Sequence, residues 1–487
     1  MSNRETLDPE DWEGVRQVFH DAVDRAIDYL RDIRQKPVWK ATPEATKEKL
    51  RTALPQAPEP LDRLWSSFAQ DILPYGTGNI HPRFFGWVHG SGNVAGVLGE
   101  MLAAFMNCNV GGRDHVAIYV ERQVIDWCKE IFAYPASSSG ILTSGTSMAT
   151  VIAVAVARFA KAGAEVRRDG MAVAARPLTA YASSEAHGSI AKAFGLLGWG
   201  EAALRRVPVG ADFRMRLADL EQQVAQDRAA GRMPAIVIAS CGTVNTGAID
   251  DLSAIAAFCR AQGLWLHVDG AFGGLAALVP EFRAMLAPIA EADSIAFDFH
   301  KWLHVPYDAG CILVKDAAAH RATFAMRPDY LAPAHRGLAG GDPWYCDFGP
   351  ELSRGFRALK VWFTIKAHGI DRLAAAVERN CRQARLLAEN VRVAGDLELL
   401  APVELNIVCF RFHAKGSTDV ALNLLNEEIV AELQEEGVAA PSTAKIAGRT
   451  AIRVCLTNHR TSDEDLALLL TAVRRLGSEG LARAERR

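Results

Sequence analysis

Apolar positions along the chain change their period twice. In the first 80 residues Trp12, Val15, Phe19, Val23 and Ile27 recur at three- and four-residue steps, which places them on one face of a helix. The proline-rich run from Pro55 to Pro60 then breaks the pattern. An arm of this kind carries an apolar stripe but no domain-sized core, so the stripe must be buried on its own domain or on a second subunit. Between about 130 and 316, helical stretches alternate with five short apolar runs: LTAYAS (178–183), AIVIAS (235–240), LWLHVD (264–269), SIAFDF (294–299) and GCILVK (310–315). Such alternation predicts βαβ units and a mostly parallel sheet covered on both faces. Ligands then bind at the carboxyl ends of the strands.

Residues 325–350 are rich in Gly and Pro and read as a long loop, of the kind that serves as a lid. A helix is predicted over 351–369. Beyond it lies a smaller α+β unit with strands near 404–413 and 450–457 and a helix across 419–436. Its last helix is opened by a capping box, Ser462 to Asp465, and is expected to close at Gly477. The expected organisation is an N-terminal helical arm (1–80), a large domain (81–370) and a small C-terminal domain (371–487), in line with a prior of about 150 residues per domain.

Composition narrows the function classes. The 54 Lys and Arg nearly balance the 57 Asp and Glu, for a net charge of −3, which excludes both a basic nucleic-acid binder and an acidic disordered chain. The nine cysteines are an odd number without a CxxC pair or zinc-like spacing, so no metal is expected and a reducing cytosol fits them. The N-terminus, MSNRETLDPEDWEG, is too polar and acidic for a signal peptide. The longest apolar run, Met148 to Ala157, falls far short of the roughly 18 residues of a membrane helix. The reading is a cytoplasmic protein with neither a membrane nor a nucleic-acid partner.

Four strand ends carry candidate chemistry. Lys301 follows SIAFDF, where an amine can form a Schiff base with a carbonyl cofactor. Asp269 closes LWLHVD; a carboxylate there can bind a metal, a ribose or the protonated nitrogen of a heterocycle, and no metal-ligand spacing accompanies it. Asp269 and Lys301 are 32 positions apart, enough for one crossover between neighbouring strands. Thr146 and Ser147 open a long helix after a Gly/Ser/Thr turn, which suits a phosphate. His187 lies just beyond the strand 178–183, where an imidazole can stack on a planar ring. Each residue alone is more often structural, and the weight lies in the combination.

The motifs GTSMAT, SEAHGSI, HVDGAFGG and FHKWL, extended by HPRFFGW, PEFR, RPDYL and FRALKVW, resemble those of the pyridoxal-phosphate-dependent group II amino-acid decarboxylases in order and spacing, from about residue 60 to near the C-terminus. That family includes aromatic-L-amino-acid, glutamate, histidine and cysteine-sulfinate decarboxylases. The resemblance implies an α/β fold-type-I transferase-like homodimer with active sites at the subunit interface. It implies pyridoxal 5'-phosphate as cofactor, with Lys301 as the cofactor-binding lysine and His300 beside the phosphate. It further implies Asp269 at the pyridine nitrogen, Ala271 beneath the ring, His187 over it, and Tyr330 as the loop tyrosine that protonates the substrate α-carbon. Trp87, His89 and Arg453 are expected at the substrate, Arg453 either holding a carboxylate or standing as an ordinary strand arginine of the small domain. The implied reaction is removal of the α-carboxylate of an L-amino acid, aromatic or related, to give an amine and carbon dioxide. An aldehyde synthase and a non-catalytic cofactor-binding homologue are the alternatives.

Three departures stand out. Many relatives have Asn-Pro-His-Lys where this chain has Asp298-Phe299-His300-Lys301, so an acceptor replaces a phosphate donor, and Asp298 is expected to point away from the phosphate or to stay protonated. A Gly-Thr-Thr motif becomes Gly242-Thr243-Val244. Trp87, His89, Asn109 and His115 replace a more apolar set expected around the substrate.

Overall fold

Seven short strands pair into one sheet in the computed structural model, which describes residues 6–326 and 334–486. They are β1 (Ser139–Thr143), β2 (Leu178–Ser183), β3 (Leu204–Val207), β4 (Met233–Ser240), β5 (Trp265–Asp269), β6 (Ser294–Asp298) and β7 (Gly310–Val314), in the order β1-β7-β6-β5-β4-β2-β3. The run from β3 to β6 is parallel throughout. β7 is antiparallel to both β6 and β1, because the segment between Asp298 and Gly310 is too short for a crossover helix. Every residue of β2, β5, β6 and β7 is buried, the condition of a sheet covered on both faces, and this is why these strands read as unbroken apolar runs. β1 and β3 escaped the sequence pattern: SGILT is short and opens on Ser and Gly, and LRRV carries two arginines.

The sheet lies in a unit formed by Trp87–Arg411 and Arg453–His459; Met1–Gly86, Phe412–Ile452 and Arg460–Arg487 form a second unit. Four further short strands are Leu397–Leu399, Ile407–Phe412, Ser442–Ile446 and Arg449–Cys455. No helix among the described residues is long and apolar enough to cross a membrane.

Two expected boundaries are corrected. The helix expected over 351–369 starts at Arg357 and is joined across the non-helical Gly369 (φ 68°) to a second helix that ends at Val393. The last helix does not stop at Gly477 but runs Asp463–Glu485. A Cβ at Gly477 would stand 2.4 Å from the Phe412 ring, so this glycine serves close packing within the helix rather than termination. The helix does open as expected, with the Asp465 carboxylate accepting the Ser462 N–H at 2.8 Å. The arm helix, Trp12–Arg31, leaves Trp12, Phe19, Val23 and Ile27 between 39% and 62% exposed, so much of its stripe stays open to solvent.

One buried ion pair sets the entry to the site. Arg354 and Glu121 have fully buried side chains 2.6 Å apart. The guanidinium also donates to the Leu142 carbonyl at 2.6 Å and the Val110 carbonyl at 2.9 Å, while Glu121 accepts the Leu142 N–H at 3.1 Å. The pair thereby fixes β1 just before it turns into the helix Thr146–Ala162. Removing one partner leaves the other charged and buried, so Arg354→Met is expected to cost about 3–5 kcal/mol of stability, read as a drop in the chemical-denaturation midpoint.

Two histidines buried far from solvent couple stability to pH. His320 bonds the Phe348 carbonyl and the Ser139 hydroxyl at 2.8 Å each, and burial lowers its pKa to about 4. His267 contacts the Ser294 hydroxyl at 2.9 Å and is lowered to about 4 for the same reason. In the unfolded chain both titrate near the usual 6.5, so between the two values the unfolded state binds protons that the native state does not. Their stability contribution is complete above pH 6.5 and is lost as pH falls toward 4, by about 2 kcal/mol per histidine at pH 5. Melting temperature is therefore expected to fall between pH 7 and pH 5, and His320→Gln to flatten that fall.

Candidate active site

The carboxyl ends of four strands deliver the polar groups. β5 ends at Asp269, whose Oδ1 accepts the Ala271 N–H at 3.1 Å. Beside it β6 ends at Asp298, and a single helical turn, Phe299–Trp302, carries His300 and Lys301. β1 leads through Ser144 and Gly145 into the helix Thr146–Ala162. β2 leads to His187, which caps the helix Gly188–Leu196 by accepting the Ser189 N–H on Nδ1 at 3.2 Å. That bond leaves Nε2 as the protonated nitrogen of the neutral ring.

These ends enclose a cavity of about 480 Å³ lined by Thr146, Ser147, His187, Asp269, Ala271, His300 and Lys301, and by Trp87 and His89 from the segment before the sheet. The expected residues are thus brought together, with four exceptions. Tyr330 lies outside the described residues. Arg453 does not line the cavity; it is buried and donates to the carbonyls of Val244 and Trp87, each at 2.9 Å. Its place is that of a clamp on two wall segments rather than of a group reaching a substrate carboxylate. Asn109 and His115 are likewise not among the lining residues: Asn109 Oδ1 accepts the N–H groups of Gly111 and Arg354, and His115 Nε2 lies 3.2 Å from the Asn109 carbonyl.

The wall that carries Trp87 is strained and tightly seated. Trp87 holds φ at 50°, a left-handed value unusual for a residue with a side chain, and the Arg453 clamp on its carbonyl sustains it. Gly90 follows because a Cβ there would stand 2.0 Å from the His300 carbonyl oxygen. The Trp87 and His89 rings stack at 5.6 Å, and Tyr307 packs on His300 with ring centroids 4.3 Å apart. Sequence patterning missed Tyr307 as a lining residue, because it lies in the irregular segment before β7 where no periodicity marks a direction.

The electrostatics divide the cavity into two ends. Asp269 is buried, which raises its carboxyl above the ordinary value, and the Lys301 charge, the Ala271 N–H and His187 pull it back in that order. A cation placed against it would be strongly favoured. Asp298, also buried, accepts the Thr146 N–H on Oδ1 at 2.6 Å and pairs through Oδ2 with Lys301 Nζ at 2.9 Å. It therefore faces the helix start, where it accepts, rather than pointing away from the phosphate end. His300 accepts the Ala309 N–H on Nδ1 at 3.1 Å and turns Nε2 to within 3.7 Å of the same carboxylate. At this helix start the Thr146 hydroxyl is buried with no hydrogen-bond partner among the described residues. A buried hydroxyl left unpaired costs free energy unless a ligand pairs it, so this oxygen marks where a phosphate would be held.

A lysine, a carboxylate suited to a protonated ring nitrogen and a phosphate seat, arranged at the carboxyl ends of one parallel sheet, define a pyridoxal-phosphate enzyme. Residues 43–413 match the pyridoxal-dependent decarboxylase conserved domain, and the chain belongs to that family. It is 32% identical over 474 residues to an aromatic-L-amino-acid decarboxylase of Bacillus atrophaeus, covering 96% of each chain. It is 31% identical over 482 residues to the histidine decarboxylase of Homo sapiens, covering 94% of this chain and 69% of that one. Its fold matches a crystal structure of Oryza sativa TDC with PLP and tryptamine at a TM-score of 0.90 and 26% identity, over 97% of this chain and 99% of that one. The protein is a pyridoxal-phosphate-dependent amino-acid decarboxylase.

The unpaired hydroxyl gives a direct check on the phosphate seat. Thr146→Val keeps the shape and removes the donor, and is expected to weaken cofactor binding about tenfold to a hundredfold, the worth of one hydrogen bond to a charged group. Spectrophotometric titration of the cofactor-stripped protein measures it.

Proposed function

We propose that the substrate is an L-amino acid with an aromatic or related side chain and that the product is the corresponding amine. The observation that carries this reading is the aromatic wall of Trp87, His89 and Tyr307, in which the rings of the first two stack at 5.6 Å and those of the last two meet edge-on at 6.2 Å. Such faces take a flat side chain by stacking. The relatives act, by their names, on aromatic amino acids and on histidine, in keeping with this class.

Pyridoxal phosphate, when bound, supplies an electron sink for the pair left behind as the α-carboxylate departs as carbon dioxide. Lys301 would hold it at the carbonyl carbon, Asp269 would keep its ring nitrogen protonated, and Thr146, Ser147 and His300 would hold its phosphate. Ala271 would lie beneath the ring. His187 would stack above it with Nε2–H available to the substrate, and Arg453 would keep the Trp87 wall in place. The proton that the α-carbon takes up is assigned to Tyr330, on its place in RPDYL. A phenolic donor there favours the amine over oxidation to an aldehyde.

The reading extends to a homodimer with the site at its interface. Its support is the partly exposed arm stripe, together with the helix Val94–Met106, on which Val94, Val97, Leu98, Phe105 and Met106 are between 43% and 66% exposed. A reducing, cytoplasmic setting is supported by the nine free cysteines, eight of them buried.

Turnover on a panel of aromatic amino acids, histidine and glutamate is expected to give one amine per carbon dioxide, without hydrogen peroxide, and fastest on an aromatic substrate. Stoichiometric aldehyde and ammonia would overturn the product, and a preference for glutamate would overturn the substrate class. Tyr330→Phe is expected to shift product from amine toward aldehyde.

A further inference from the structure

We propose that Asp298 is a positioning residue that restrains cofactor capture, because its carboxylate occupies two groups the cofactor needs, the Thr146 N–H and the Lys301 amine. The inference uses only the cofactor's identity and is independent of the substrate and product proposed above.

The geometry is specific. Asp298 is buried, with one oxygen 2.6 Å from the Thr146 nitrogen and the other 2.9 Å from Lys301 Nζ. The N–H of the first helical residue is among the few at a helix start without an internal partner, and these are the groups that bind a phosphate. One of them is already spent on an anion. The chain makes room for that anion: a Cβ at Gly310 would stand 2.6 Å from Asp298 Oδ1 and 2.5 Å from the Gly145 Cα. Glycine at 310 therefore lets β7 pass close to the helix start with the carboxylate between them. The unpaired Thr146 hydroxyl remains as a donor beside it.

Capture of the cofactor works against this arrangement in two ways. A phosphate dianion at the helix start meets a buried negative charge that shares the same N–H, and like charges at short range in a poorly solvated site repel strongly. The amine that must attack the carbonyl is held as the cation of an ion pair, and only the neutral amine has the free electron pair for that step. When that amine is consumed, Asp298 loses its partner and is left as a buried charge with a weaker counterweight, His300 Nε2 at 3.7 Å. An Asn in its place keeps the shape. With its oxygen on the Thr146 N–H, its amide N–H points at Nζ and favours the neutral amine.

The test uses cofactor-stripped protein, wild type and Asp298→Asn, with two probes. Titration with pyridoxal phosphate reads the equilibrium. Exposure to pyridoxal, which lacks the phosphate, reads the amine: Lys301 condenses with the aldehyde with loss of water, added borohydride reduces the C=N bond to a stable secondary amine, and peptide mass spectrometry counts the adduct at Lys301. Asp298→Asn is expected to bind pyridoxal phosphate roughly tenfold more tightly, equivalent to about 1.4 kcal/mol, and to accumulate the Lys301 adduct faster. Asp298→Ser, smaller and also uncharged, carries the same two expectations where the Asn variant does not fold. Unchanged or weaker binding of pyridoxal phosphate overturns the proposal, as does an equal rate of adduct formation. Absence of any Lys301 adduct in the wild type would remove Lys301 as the carbonyl-binding residue and the proposal with it, a failure distinct from the other two.

Discussion

Burial of both faces of the central sheet is the constraint on which the rest of the molecule depends. A strand covered on both sides carries polar side chains at a cost, so the interiors of β2 and β4 to β7 are mostly apolar, with Thr179, Tyr181 and His267 each hydrogen-bonded within, and chemistry is driven to where the strands end. Parallel order then aligns those ends. Asp269 and Asp298 finish adjacent strands, and the helix starts at Thr146 and Gly188 open on the same side. The site is assembled from residues scattered from 87 to 307 because the sheet leaves polar side chains no other edge to share.

Charge within the site is balanced locally. Two buried carboxylates, Asp269 and Asp298, face one ammonium, Lys301, and two imidazoles, His187 and His300. Asp269 has no direct salt bridge among the described residues and leans on Lys301 and His187 from a distance, so it is poised for a cation from outside the chain. Asp298 is the opposite case, satisfied from within by a helix N–H and by the lysine. The charges at the phosphate end are thus balanced between a helix start and one ion pair, and the chain's net charge of −3 carries no trace of them.

Much of this was legible in the residues. Five of the seven large-sheet strands read directly as apolar runs, and their last polar residues named the lysine, the aspartate and the histidine of the cavity. The runs were visible because double burial removes alternation. β1 and β3 were not, since a strand beginning Ser-Gly and one containing Arg205-Arg206 carry too little apolar signal. Gly477 shows the reverse error: a glycine after two arginines is a sound stop signal locally, yet contact with the Phe412 ring made it a packing residue in mid-helix. Tyr307 had no signal, because its place depends on the path of an irregular segment past His300.

What the sequence determined by itself was the chemistry available: an amine, a carboxylate and a hydroxyl-rich helix start, each fixed at a strand end by local pattern. What only the tertiary structure decided was which partners those groups have. Arg453 reads equally well as a substrate ligand or a strand arginine, and its three-dimensional neighbours, the carbonyls of Val244 and Trp87, made it a clamp. Asp298 reads as a misplaced acceptor, and the approach of Thr146 and Lys301 made it the centre of the phosphate end. The physical reason is range. Periodicity and capping act over a few residues, while an ion pair or a hydrogen bond between residues 152 positions apart exists only once the sheet has set their distance.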